Sequence, residues 1–356
     1  MRLLVLGVYA PPDDEELKPS DLRSYPGLLL ENPTTTRQRP VRNLASALQE
    51  CESFQPDLLV FQGETGVALH WQSLFEKCYP QLFSFVSNQH DLFKILAELN
   101  PRLWELRRRR LKDKSAPYPA PGPVEKEQLF AQLETEARSL AQARLEPWLE
   151  AHPRLKTFLP LVSSEDFERQ LYCYALLETA LEDWKSPTSV RVLDVGTHAW
   201  SYAPALSAFF REKASLVELT GLELDPWYLI EGVTRGDLAR YYAKTSQARF
   251  LEADFLNFHE KQEIICHFLP LILPQNALLW RIPLEMHHPV RLLKHSWDRL
   301  RPGGRCLLYN GKEIEYQELL KNIKHAGLTP LRTGPWVCPW RQKQQGYLTL
   351  LERPAK

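Results

Sequence analysis

The segment Val190-Arg191-Val192-Leu193-Asp194-Val195-Gly196 constrains this chain more than any other stretch. An apolar run stops at an acid and a glycine, and a helix-like segment follows within ten residues. This is how a buried parallel strand ends at the ligand edge of a doubly wound sheet. The glycine-rich turn expected next is missing, for the chain reads Thr197-His198-Ala199-Trp200-Ser201-Tyr202. A dinucleotide site would want G-x-G-x-x-G there to cradle a pyrophosphate.

From about residue 161 onward the pattern alternates. Phe167 to Trp184 carries apolar residues with a period of 3.6, which predicts an amphipathic helix. Further helices are expected at Pro204–Arg211, Val290–Leu300 and Tyr316–Ala326. Strands are expected at Arg191–Gly196, Ser215–Leu224, Arg249–Ala253, Ala277–Trp280, Arg305–Tyr309 and Tyr347–Glu352. Alternation at this spacing predicts an α/β fold, a doubly wound and mostly parallel sheet with helices on both faces.

The rest of the chain reads as two further parts. Residues 1–75 predict a small α/β unit: a strand at Met1–Tyr9, helical spacing from Pro40 to Cys51, and a second strand at Pro56–Phe61. A polar loop, Gln62-Gly63-Glu64-Thr65-Gly66, follows. The long polar segment Pro11–Arg39 inside this unit is of a length usually reserved for functional loops or disorder. Residues 76–160 read as a charged helical connector, broken by the proline-rich stretch Lys114–Pro123 and continuing as one long helix over Val124–Leu149.

Composition removes several function classes. Forty-four basic residues balance forty-four acidic ones, so no global field recruits nucleic acid or a membrane surface. The one dense basic block is Arg107-Arg108-Arg109-Arg110, which would meet RNA phosphate or simply end a solvated helix. The six cysteines form no CxxC pair, which argues against a zinc cluster or a disulfide framework. No His/Asp/Glu group has persuasive metal-ligand spacing. Leu3–Ala10 reads as a strand and not as a signal peptide, and no run is long enough to span a bilayer, so a cytoplasmic setting is expected.

Four segments, in order, resemble the motifs of the class I S-adenosylmethionine-dependent methyltransferases over about residues 165–356. These are Val192-Leu193-Asp194-Val195-Gly196, Thr220-Gly221-Leu222-Glu223-Leu224-Asp225, Leu251-Glu252-Ala253-Asp254-Phe255 and Leu300-Arg301-Pro302-Gly303-Gly304-Arg305. The resemblance implies S-adenosyl-L-methionine as cofactor, with Asp194, Gly196 and His198 at its first turn. It also implies Glu223 accepting from the ribose hydroxyls, Asp254 accepting from the adenine amino group, and Phe255 covering the ring. His198 and Trp200 occupy positions where the family carries glycines or small residues.

A methyl transfer to an O or N atom is the expected activity, on a small molecule before a macromolecule. The catalytic residues are not fixed by the sequence: His287 and His288, with Glu285, are candidates for the base that removes the acceptor's proton, and the alternative is that the two histidines cap the helix that follows. The alternatives are a scaffold that keeps the fold without the cofactor, and a bifunctional enzyme whose second site uses Glu64 and the Pro11–Arg39 loop.

Overall fold

The strand read at Val190–Gly196 forms over Ser189–Val195 (β5) and lies inside a seven-stranded sheet. The computed structural model describes the strands Arg2–Val8, Thr35–Val41, Leu58–Gly63 and Phe83–Ser87, scattered positions between 47 and 125, and residues 128–355 apart from 186, 231–232, 281 and 341–344. Chain contacts divide it into two compact units. One holds Met1–Lys114 together with Trp227–Gly232 and Pro274–His287, and the other holds the remainder.

The first unit is built on a four-stranded, wholly parallel sheet. Its strands β1 (Arg2–Val8), β2 (Thr35–Val41), β3 (Leu58–Gly63) and β4 (Phe83–Ser87) lie in the order β2-β1-β3-β4. Two of these strands were not expected. β2 falls in the segment read as a polar loop, and its last residues overlap the predicted start of a helix at Pro40. It is an edge strand, where a proline without an N–H is tolerated. β4 lies beyond residue 75, in the stretch expected to be a helical connector, so the sheet outruns that boundary.

The second unit carries the doubly wound sheet. Its strands are β5, β6 (Leu216–Glu223), β9 (Arg249–Glu252), β10 (Gln262–Phe268), β11 (Leu300–Asn310), β12 (Arg332–Val337) and β13 (Gln345–Glu352). Two-residue strands β7 (Leu229–Ile230) and β8 (Val233–Thr234) interrupt the chain between β6 and β9. The order is β12-β13-β11-β10-β5-β6-β9, parallel except that β13 runs antiparallel to both β11 and β12. Counted within this unit, the five parallel strands stand in the order third, second, first, fourth, fifth. That is the doubly wound, Rossmann-like arrangement, and its switch point falls between β5 and β10.

The sequence alternation explains why both faces are covered. On β5, Val190 and Val192 enter one apolar layer while Leu193 and Val195 enter the other. Ile264 and Cys266 part from Ile265 on β10 in the same way, as Leu307 and Tyr309 part from Leu308 on β11. Successive side chains of a strand point to opposite faces, so an unbroken apolar run requires helices on each. One layer is closed by α1 (Thr135–Ala151), α3 (Ser164–Ala180), α4 (Ala203–Lys213) and α5 (Arg235–Thr245), with the short α2 (Pro153–Lys156) between the first two. The other is closed by α7 (Pro289–Arg299) and α8 (Glu313–His325).

One strand expectation fails. Ala277–Trp280 is not the fourth strand, because Pro274–Leu279 forms a short helix (α6) in the first unit. There the buried Asn100 side chain donates to the carbonyls of Leu278 (2.9 Å) and Ile282 (3.3 Å). A short apolar run does not by itself separate strand from buried helix, and the fourth strand is Gln262–Phe268.

Candidate functional site

The switch point brings three strand ends to one edge. The turn after β5 begins at Gly196, whose φ of +75° is a left-handed value. A Cβ built there would meet nothing within 4 Å, and Gly196 is exposed. The backbone N–H groups of Gly196 (2.8 Å) and Thr197 (3.2 Å) donate to the carbonyl of Leu222, which ties the turn to β6. His198 (φ +56°) and Trp200 (φ +54°) are left-handed as well. The turn therefore keeps the backbone of a glycine-rich loop at alternate positions while carrying two large side chains. Each such residue costs roughly 1–2 kcal/mol, so its surroundings must hold it in place.

Those surroundings are specific. Trp200 is fully buried, and its indole N–H donates to Asp194 Oδ2 at 2.8 Å. Its ring lies under β6 at Gly221, where a Cβ would come within 2.6 Å of it. The glycine at 221 is what leaves room for the tryptophan. From α3 the buried Gln170 side chain donates to the carbonyl of Ser201 at 2.9 Å. Trp200 thus fills the core beneath the turn and not the space over Gly196.

Asp194 is enclosed with it. Its carboxyl is fully buried, and burial pushes it up to about 7, against the opposing hydrogen bonds from Tyr202 and Trp200 and with the help of the Glu223 charge. A group placed so deep acts as a strut for the turn.

Glu223, at the end of β6, is 5% exposed and has three protein donors. Its Oε2 accepts from the His198 N–H at 2.7 Å. Its Oε1 accepts from the Asp225 N–H at 2.9 Å and from Arg235 Nη1 at 3.2 Å. Arg235 opens α5 and is 4% exposed, so Glu223 and Arg235 form a buried ion pair. The His198 imidazole is held well below the usual histidine range by burial and by the Arg235 and Arg169 charges. It is therefore neutral near pH 7.

At the end of β9, Asp254 caps a 3-10 turn, its Oδ1 accepting from the Leu256 N–H at 2.9 Å. Asp254 is half-buried, and its second oxygen takes no hydrogen bond among the described residues. Phe255 is 4% exposed, its ring edge-on to His267 (5.6 Å) and His295 (4.8 Å) between centroids. That aromatic belongs to the core and does not stand open beside Asp254. His267 is itself buried against Ser296 at 2.9 Å, and burial alone pulls it down to about 3.

Asp194, Gly196, His198, Glu223 and Asp254 thus gather at one sheet edge, while Phe255 turns inward. His287 and His288 do not follow the fourth strand as expected. His288 occupies the N-cap position of α7 without a side-chain cap bond, and His287 falls in the other compact unit. Directly after β10 the chain reads Leu269-Pro270-Leu271-Ile272-Leu273-Pro274, with no ionisable side chain.

Arg235 was missed from the sequence because no helix was read over Arg235–Thr245. The signal was present: Thr234 accepts from the Asp237 N–H, and Leu238, Tyr241 and Tyr242 follow at helical spacing. Of the basic block, Arg108 is exposed, pairs with Glu105 at 3.9 Å and lies 6.0 Å over the Trp227 ring. Arg107, Arg109, Arg110 and Glu64 lie outside the described residues. Among the described residues there is no helix long and apolar enough to cross a membrane and no cluster able to hold a metal, and five cysteines are buried.

No family model matches the chain, and no curated protein matches it at a significant level. Solved structures do. TrmN from Thermus thermophilus is 23% identical, over 50% of this chain and 47% of its own, with a TM-score of 0.35. A methyltransferase from Pyrococcus furiosus is 16% identical over 52% and 83%, with a TM-score of 0.37. The N-methyltransferase NodS from Bradyrhizobium japonicum WM9, solved with S-adenosyl-L-homocysteine, is 14% identical over 53% and 88%, with a TM-score of 0.35. The chain spans about half the length of the first of these.

Proposed function

We propose that this chain is an S-adenosylmethionine-dependent methyltransferase acting on an O or N atom of a small-molecule acceptor. One observation carries the reading: three features meet where a doubly wound sheet takes its ligand. They are an open-sided left-handed turn at Gly196, an acid with remaining acceptor capacity at the end of β6, and an acid with an uncommitted oxygen at the end of β9. This set of acceptors suits an adenosine carrying a thioether or sulfonium. Adenosylmethionine has no pyrophosphate, so a phosphate-cradling loop is not required, and the backbone of the turn survives without its glycines.

The cofactor would supply an activated methyl group, which leaves this chain to bind, orient and exclude water. Gly196 gives the ligand its approach, Glu223 and Asp254 fix ribose and adenine, and the neutral His198 borders the pocket. No acid–base group stands directly after β10, so the acceptor would arrive as a sufficient nucleophile or release its proton to solvent.

That same apolar segment favours a second reading, a binding protein that keeps the fold without catalysis. Titration calorimetry of the full chain with adenosylmethionine and adenosylhomocysteine, followed by a methyl-transfer assay, tests both. Heat of binding from neither compound would sink the cofactor reading. Binding without transfer to any acceptor would favour the second.

A further inference from the structure

Glu223 has little room for a ligand, and the amount can be counted. A carboxylate offers about four acceptor positions, two on each oxygen. The N–H of Asp225 and Nη1 of Arg235 fill both positions on Oε1. On Oε2 the N–H of His198 fills one and leaves one. A ribose diol that gave both hydroxyls to this carboxylate would need an opening on each oxygen.

Arg235 cannot swing aside into solvent. Its side chain is 5% exposed, and Nη1 also reaches the carbonyl of Asp225 at 3.4 Å. The residues around it are fixed as well: Thr234 caps α5, and the Gly236 N–H donates to the Pro226 carbonyl at 2.7 Å. Removing the guanidinium from Glu223 would leave two buried charges apart, which is strongly unfavourable.

We propose that Arg235, by occupying Oε1 of Glu223, makes this site read one ribose hydroxyl of its adenosine ligand and not two. Arg235 is then a positioning residue that sets ligand selectivity through Glu223. The inference rests on the cofactor reading above, and it concerns how that ligand is recognised.

The test compares adenosylhomocysteine with its 2′-deoxy and 3′-deoxy analogues by titration calorimetry on the full chain. In the wild type, one analogue should bind about ten- to a hundredfold more weakly, the usual effect of losing a hydrogen bond to a charged group. The other should bind within about threefold of the parent. In Arg235→Gln, with folding checked by thermal melt, the indifferent analogue should become sensitive too, because an acceptor position on Oε1 has opened. Comparable losses for both analogues in the wild type would overturn the proposal even if the variant does not fold. Failure of adenosylhomocysteine itself to bind would remove the cofactor reading, and the proposal with it.

Discussion

Asp194 and Glu223 end neighbouring strands of one sheet, and both are buried, yet the protein holds them in opposite ways. Asp194 has a neutral donor, the indole of Trp200, and burial pushes its carboxyl up to about 7. Glu223 has two backbone N–H groups and the guanidinium of Arg235. One carboxyl braces a turn from beneath, and the other ties the turn at His198 to the start of α5. An acid at a strand end therefore does not declare its role by residue type. The sign of the group buried beside it does.

The sharpest way to break this comparison is to remove one charge of the buried pair. Glu223→Gln leaves Arg235 uncompensated in the interior and should cost about 3–5 kcal/mol in denaturant unfolding. Exchanging both partners for apolar residues of similar volume should cost much less, so a double-mutant cycle should return a large coupling energy. A single-variant loss below about 1 kcal/mol would mean that the pair is not buried as described.

For Asp194 the expected effect is a dependence on pH. The folded protein holds its proton up to about pH 7, whereas an unfolded aspartate releases it near 3.9. Between those values the folded state binds more protons, so this group's contribution falls as pH rises from about 4 to 7, by up to about 4 kcal/mol. Asp194→Asn removes the titration and should flatten the stability profile over that window. A profile identical to wild type would show that the carboxyl ionises without penalty.

Much of this was legible beforehand. The run Val190–Gly196 announced a buried parallel strand because its neighbours on both faces had to be apolar, and Asp194, Gly196, Glu223 and Asp254 do reach one edge. The turn was not legible, because left-handed backbone at His198 and Trp200 depends on a distant residue: Gly221 makes room for an indole that reaches Asp194. Phe255 was misread for a related reason, since sequence places it beside Asp254 but only the packing of His267 and His295 turns it inward. Ala277–Trp280 looked like a strand because four apolar residues fit either element, and the side chain that decides it, Asn100, lies 178 positions from Leu278 in the chain. The first unit's β2 hid inside a polar segment because an edge strand needs no apolar alternation.

Gly221→Ala would disturb Asp194 through Trp200. The added methyl would overlap a ring that has no empty space to enter, at about 1–3 kcal/mol. If the indole withdraws from the carboxyl, a hydrogen bond that favours ionisation is lost. The falling limb of the stability profile should then extend to higher pH. A variant as stable as wild type, with an unchanged profile, would show that Trp200 does not depend on that glycine.

The smallest expected effects test the turn itself. Gly196→Ala places a methyl in open space, so its only cost is the left-handed backbone, about 1–2 kcal/mol. His198→Gly relieves the same kind of strain but enlarges the unfolded ensemble, and the two should nearly cancel, leaving less than about 1 kcal/mol. Both variants keep the N–H that His198 gives to Glu223, provided the turn holds its path. Adenosylhomocysteine binding by His198→Gly should therefore stay within about threefold of wild type, if the backbone of the turn does the holding. A loss of tenfold or more would make the imidazole a direct ligand contact. The turn would then recognise its ligand through the very side chain that replaced its glycine.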